Sequence, residues 1–441
     1  MCLNRCGSKP AFVCNLESDV ALRTKDWQVS QMIKVLLPGA FAILVSSAFA
    51  EPVTMSRVSE LPAAQQMEWK AYIERANAGA RADVAKVQAE VEANKMPKAL
   101  KAPSAGDFRL KSAAGDTWFA SNEGKVLADA VLSFQTTTGG WSKHLDFSLG
   151  PRRPGMLFTS QNEPGEPAHY VATFDNGSTT SEMELLAGVW LATKREDCKA
   201  GFIKGLNFIL AAQFPNGGWP QVYPLEGKYH DDITFNDNAM THVLELLQDI
   251  VNAKPAYAFL DDSQRQQAMK ALKAGLECVL KTQIVREGKK TVWCAQHDAL
   301  TLQPSNARKM EPATLSGAES AHLLKFLMTI PNPTPELVTC IKSGLKWFED
   351  SKITSEAKPP GEGAKGRDAK TASAPVRWAR FYDLKSGKPV FPGRDGVVYD
   401  TFEAMAAGNK IGYAYYTTQP SSVITTGQKN WRKMLAAKAG K

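Results

Sequence analysis

The segments Gln135-Thr-Thr-Thr-Gly-Gly-Trp141 and Gln213-Phe-Pro-Asn-Gly-Gly-Trp219 are two copies of one motif, and Lys281-Thr-Gln283 with Val292-Trp293-Cys294 is a looser third. Their glutamines recur at intervals of 78 and 70 residues. Between the copies lie amphipathic stretches. Ser178 to Thr193 places Met183, Leu186, Ala187 and Trp190 on one helical face, with Thr179-x-x-Glu182 and Ser181-x-x-Glu184 at capping-box spacing. Asn238 to Ile250 does the same with Met240, Val243, Leu244 and Leu247, and Thr314 to Met328 with Ala318, Leu323, Phe326 and Leu327. Each is followed by a second helical pattern, at 199–213, 264–283 and 335–350. Helical hairpins at such a period build an open solenoid or a closed ring. Open solenoids use repeats of about 34 to 47 residues, so the expected fold is all-α, a closed toroid of helical hairpins. Val222-Tyr223 and Thr291-Val292-Trp293, beside the turns, are expected in short β-hairpins at one end of the ring.

Outward from this region, Ala63 to Ala102 is rich in Ala, Lys, Glu and Gln and reads as a solvated helical leader. Val376 to Tyr416 is rich in aromatics and Gly and reads as loops and short strands, after a polar Pro/Gly/Lys loop at Glu356 to Ala374. The first 50 residues read as an address. Met32-Ile33-Lys34 supplies a start and a charge, Val35 to Val45 is apolar, and Ala48-Phe49-Ala50 is a small-x-small cleavage site. A secretory signal peptide is expected, with translation starting at Met32, and hence a secreted or periplasmic protein. The apolar stretch is too short for a stable membrane span, which needs about 20 residues. The expected division is 1–50 extension and signal peptide, 51–105 leader, 106–425 toroid, and 426–441 a basic tail.

The 441 residues are 44% apolar and 22% charged, the composition of a folded protein able to build a large core. The formal charge is +8, and about +6 without residues 1–50, which suits an anionic partner. Lys and Arg are scattered rather than gathered on one element with aromatics, so nucleic acid is not the expected one. Beyond residue 50, Cys198, Cys278, Cys294 and Cys340 lie at wide, unequal spacings. They read as buried thiols rather than as a zinc knuckle or a disulfide scaffold. Gly361-Glu-Gly363-Ala-Lys-Gly366 matches a dinucleotide-binding pattern in letters only, since neither strand nor helix flanks it. Walker A, H-E-x-x-H and G-x-S-x-G patterns are absent, and the six histidines do not cluster at metal-ligand spacings.

Polar clusters precede the first helix of each pair: Thr173-Phe174-Asp175-Asn176-Gly177, Thr234-Phe235-Asn236-Asp237-Asn238, and Ser305-Asn306 through Glu311-Pro312. A ring of hairpins brings equivalent helix starts to one end, so these clusters are expected to converge. One Asp or Asn at a helix start is ordinarily an N-cap. Together the clusters hold more oxygen than capping needs. Asp175, Asn176 and Asp237 offer the hard oxygens that Ca²⁺ prefers, and Arg308, Arg380 and Arg394 can each fork onto a carboxylate.

Taken in order, Asp175-Asn-Gly-Ser-Thr-Thr180, Gly217-Gly-Trp-Pro-Gln221, Thr234-Phe-Asn-Asp-Asn-Ala-Met240, Ala307-Arg308 through Leu315-Ser316, Arg380-Phe-Tyr382 and Gly393-Arg-Asp-Gly-Val397 resemble the family 10 pectate lyases. The resemblance spans about residues 110 to 417. It departs at Met310-Glu-Pro-Ala-Thr, and at Ser142 where the family has proline. The resemblance implies an (α/α)₃ toroid cleaving polygalacturonate, an anionic polysaccharide, as a monomer by calcium-assisted β-elimination. It further implies that Asp175, Asn176 and Asp237 bind Ca²⁺, that Arg308 is the base, and that Arg380, Arg394 and Lys143 contact uronate. Proton removal beside a carboxylate builds charge that a cation and arginines stabilise. A guanidinium base, with pKa above about 12, calls for an alkaline optimum. Two other readings stand beside this one: a glycoside hydrolase using Asp237 with Asp175 or Glu311 as its acid/base pair, and a non-catalytic binder of acidic polysaccharide.

Overall fold

The structure is a computed structural model that describes residues 51–110, 115–167, 169–353, 376–411 and 414–439. The signal peptide, the Met32 start and the 356–374 loop with its glycine pattern lie outside the described residues. Helices α1 (Met55–Ser59) and α2 (Ala63–Ala93) lead into α3 (Asp116–Ala120) and α4 (Asn122–Ser133). Three hairpins follow: α5 (Thr180–Thr193) with α6 (Glu196–Ala212), α7 (Ala239–Val251) with α8 (Asp262–Thr282), and α9 (Glu319–Leu327) with α10 (Pro335–Asp350). Helices α5, α7 and α9 pack side by side inside, and the architecture is an α/α toroid. The chain ends in α11 (Phe402–Gly408), α12 (Gln419–Ser422) and α13 (Gln428–Ala439). Among the described residues, no helix is long and apolar enough to cross a membrane.

The repeated glutamine and tryptophan hold the hairpins together in the same way each time. The Gln135 side-chain amide donates to Gly139 O and Gly201 O (both 2.8 Å), Gln213 to Gly217 O and Ala271 O (both 2.9 Å), and Gln283 to Thr291 O (2.9 Å) and Cys340 O (3.0 Å). One amide thus closes its own turn and clamps the outer helix of the next hairpin. The indoles of Trp141, Trp219 and Trp293 donate back to Val131 O, Ile209 O and Val279 O at 2.7–2.9 Å. Trp378, outside the expected motif, repeats the pattern onto Phe348 O at 2.8 Å. Gly139 (φ 111°) and Gly217 (φ 95°) make the turns possible. A Cβ there would meet Lys204 O at 2.4 Å or Ala274 O at 2.2 Å, so only glycine fits.

Several expectations need correction. The segment from Thr314 is not helical at once: Leu315–Ser316 forms a strand, and α9 begins at Glu319. Thr179 caps nothing through its side chain. Its hydroxyl donates to Thr173 O (2.8 Å) and accepts from Trp141 N (3.1 Å), so the tertiary turn takes the group that a capping box would use. The expected hairpin at 291–293 lies just before it, at Val285–Arg286 paired with Lys289–Lys290, and Val222 makes only an isolated bridge to Thr173. The leader is not wholly solvated, because α2 buries Trp69, Tyr72, Ile73, Ala76 and Val87. The tail is the helix α13, with Trp431 buried. Cys198, Cys278, Cys294 and Cys340, by contrast, are buried and free as expected.

Short strands cover one end. They are β1 (Ile233–Thr234), β2 (Val285–Arg286), β3 (Lys289–Lys290), β4 (Gln296–His297), β5 (Leu315–Ser316), β6 (Trp378–Ala379), β7 (Phe381–Tyr382), β8 (Pro389–Pro392), β9 (Val398–Tyr399) and β10 (Tyr416–Thr417). Strands β5, β7, β8 and β9 form an antiparallel sheet, with Leu315 opposite Tyr382 and Phe381 opposite Val390. Its own small core is Phe381, Val390, Phe391, Phe402, Met405 and Tyr415. Arg380, just before β7, reaches Asn236 and Glu319 at the inner-helix starts, and Arg394 lies on the turn between β8 and β9.

Candidate active site

The starts of α5 and α7 share an unusual backbone. Asn176 (φ 54°), Asp237 (φ 49°) and Asn238 (φ 62°) are left-handed, a conformation that Asn and Asp tolerate better than most residues. The turns they occupy, Asp175–Gly177 and Asn236–Asn238, pack against each other. Neither turn is capped by a side chain, nor is α7 by Asn238. The carboxylates of Asp175 and Asp237 are therefore not serving as N-caps, the ordinary use of acids at such positions.

Asp175 is almost fully buried and held from three sides. Its backbone N–H donates to Thr173 Oγ1 (3.0 Å), Gln221 Nε2 donates to Oδ1 (2.9 Å), and Lys143 Nζ donates to Oδ2 (2.6 Å). The Lys143 ammonium also lies 3.7 Å from the Tyr170 ring centre, a cation–π contact. Asn236 Nδ2 donates to Asp237 Oδ2 at 2.8 Å. Burial pushes the Asp237 carboxyl up to about 6, helped by the negative charges of Asp175 and Glu319 and opposed by Arg380. Acids this crowded favour a cation among them.

Arg380 pairs with Glu319 and reaches Asn236 Oδ1 at 3.4 Å. Its own N–H bonds Tyr415 O and its carbonyl accepts from Gly317 N (both 2.8 Å), which fixes the side chain over the helix starts. Arg308 is half exposed and forked onto Glu311, with Nε to Oε2 at 2.8 Å and Nη2 to Oε1 at 2.6 Å. Arg394 is exposed on the β8–β9 turn. That turn meets the Arg308 segment, since a Cβ on Gly396 would lie 3.8 Å from Lys309 side-chain carbons. Arg377 instead lies over Tyr416, 4.6 Å from the ring centre.

The structure thus brings Lys143, Asp175, Asn176, Asp237 and Arg380 into one cluster, with Arg308 and Arg394 on an adjoining wall. The third helix start is not Ser305 to Pro312, a loop, but Ser316 to Glu319, because strand β5 intervenes. Sequence reasoning therefore missed Glu319, although its place in the first turn of the third inner helix marks it. It also missed Gln221 and Tyr170, whose roles depend on contacts across the fold. The histidines, dispersed in sequence, meet in two groups, His169–Glu226–His230 and His242–Glu245–His322. A pocket of about 490 Å³ between α2 and residues 157–172 contains none of the cluster residues.

A family model of pectic acid lyases matches residues 135–424. Among solved structures, a family 10 polysaccharide lyase from Cellvibrio cellulosa is 31% identical, with a TM-score of 0.59, covering 73% of this chain and 99% of that one. A point mutant of a family 10 lyase from the same organism, in complex with trigalacturonic acid, is likewise 31% identical with a TM-score of 0.59, covering 71% and 95%. A search of curated proteins returned no match. These relatives are lyases, which sets aside the hydrolase and the non-catalytic binder. The cluster of acids and arginines at one end of an α/α toroid, and the match over most of the chain, place this protein in the pectic acid lyase family, as a polysaccharide lyase of the family 10 type.

Proposed function

We propose that this protein is secreted and cleaves polygalacturonate by calcium-assisted anti β-elimination, leaving 4,5-unsaturated oligogalacturonides. The observation that carries the reading is the meeting of Asp175 and Asp237, acids not used as caps, with the cations of Lys143 and Arg380. The donor set suits calcium: two carboxylates and an amide oxygen are hard ligands, and Asp237 is held high by burial and then by like charge that a cation relieves. Asp175, Asn176 and Asp237 would hold the ion, which supplies charge neutralisation beside the uronate carboxylate. Asp175 is held in place by Gln221 and Lys143, and Asp237 by Asn236.

Arg308 takes the C5 proton. The electron pair left at C5 forms the C4=C5 double bond as the C4–O bond breaks, and the departing oxygen acquires a proton. Arg380, Arg394 and Lys143 orient the uronate carboxylates, and bidentate arginine forks fix them in the plane that elimination needs. Glu311 holds Nε and Nη2 of Arg308, so proton transfer through either of those N–H groups requires the pair to open. Pairing with a carboxylate favours the charged guanidinium, which gives the alkaline optimum a structural cause.

The test is ultraviolet monitoring of polygalacturonate with calcium, then with chelator. Growth of the unsaturated-uronide absorbance that stops with chelator and returns with calcium supports the reading. Saturated reducing ends without absorbance would sink it.

A further inference from the structure

We propose that His169, Glu226 and His230 form a transition-metal site, taking zinc through two imidazole nitrogens and one carboxylate oxygen. His169 comes from one stretch of chain and Glu226 and His230 from another, and one ligand atom from each lies within 4.8 Å of the others. His169 Nδ1 is 2.6 Å from Glu226 Oε2, and His230 Nδ1 is 3.7 Å from the same oxygen. A tetrahedral ion about 2.0–2.1 Å from its ligands sets donor–donor edges of about 3.3 Å. The first distance opens and the second closes by less than 1 Å, a side-chain adjustment that leaves the backbone in place.

A second observation points to a ligand. His230 is 2% exposed, and neither of its ring nitrogens has a hydrogen-bond partner. A buried imidazole ordinarily satisfies at least one nitrogen. Tyr229 and Tyr170 pack on its ring, with centroids 3.9 and 4.8 Å away, and supply no hydrogen bond to it. Glu226 is nearly buried too and is fixed by the Tyr170 N–H on its other oxygen, a second contact of the kind that orients metal-binding carboxylates. His169 is one-third exposed, and Glu226 lines the pocket beside α2, which gives an ion a route in.

Two imidazoles and one carboxylate with an open fourth position suit zinc or its first-row neighbours rather than calcium, which takes six to eight oxygens. The site also touches the chemistry from outside. Tyr170 follows His169 in sequence and carries the Lys143 ammonium on its face. An ion here would tie residues 169–170 to the 226–230 loop and stiffen the wall that holds Lys143. The inference does not depend on the calcium mechanism, because its test reads metal content.

The full chain, purified without a polyhistidine tag and stripped by chelator, is titrated with zinc chloride, and retained metal is measured after gel filtration. One equivalent is expected, and cobalt(II) in its place should give the intense visible bands of four-coordinate geometry. His230→Gln and His169→Gln should each weaken zinc by more than the roughly 10–100-fold seen for loss of an orienting contact. His169→Gln, at a half-buried position, guards against misfolding, with metal-free thermal unfolding as the control. His322→Ala, in the other histidine group, should retain the ion. No zinc on the wild type, full retention in His169→Gln, or loss only in His322→Ala each overturns the proposal.

Discussion

The Gln–Trp turns and the polar helix starts belong to the same hairpins and behave oppositely. At the turns, Gln135, Gln213 and Gln283 make the same two bonds three times over, and each tryptophan returns to the helix before it. At the helix starts each copy differs: Phe174-Asp175-Asn176-Gly177 before α5, Phe235-Asn236-Asp237-Asn238 before α7, and Ser316 to Glu319 at α9. A contact that recurs in each repeat solves a packing problem common to all of them. Residues that differ between copies, with acids that leave the starts of α5 and α7 uncapped, are where the ring gives up symmetry for chemistry.

The comparison breaks if the helix-start cluster proves to be a stability device or the turns prove catalytic. The largest effect is expected from Arg308→Ala, which should lower turnover on polygalacturonate by about 10²–10⁴-fold with an unchanged circular dichroism spectrum. Near-normal turnover would remove Arg308 from the base role.

Asp237→Asn should nearly abolish calcium-dependent activity while making the metal-free protein more stable. The native carboxyl sits at about 6 against an ordinary 3.8, so the folded state binds the extra proton. Its penalty is absent below about pH 4, grows through that interval, and is complete above about pH 6. Chemical denaturation at pH 8 should favour Asp237→Asn by about 1–3 kcal/mol, with no difference at pH 3.5. An Asn variant less stable at pH 8 would make this residue structural.

Gln283→Ala should do the reverse. Losing its amide leaves Thr291 O and Cys340 O without that donor in the core, costing about 1–3 kcal/mol, while kcat/KM at low temperature stays within about twofold. A catalytic collapse without loss of stability would contradict the division. The smallest effect is expected from Glu311→Gln. Removing the carboxylate that favours the charged guanidinium should move the rising limb of the pH–rate profile toward neutral pH. A shift the other way would mean that Glu311 assists deprotonation.

Much of this protein was legible in its sequence because its signals were local or periodic. Helix periodicity, the 78- and 70-residue glutamine spacing and the Asp/Asn clusters marked the hairpins and the side chains that line one end. The motif around Arg380 and Arg394 was visible too, although neither lies near Asp175 in sequence.

Tertiary structure decided what sequence distance conceals. Thr179 gave its hydroxyl to the Trp141 turn instead of a cap, and strand pairing with Tyr382 held Leu315 out of α9 and made Glu319 the third helix start. The same folding brought His169 to Glu226 and His230. Periodicity follows from backbone geometry acting over a few residues, so one strand of text can report it. Which side chain meets which, and whether a polar atom finds a partner or is buried without one, depends on the closure of the whole ring, and no local stretch of sequence carries that information.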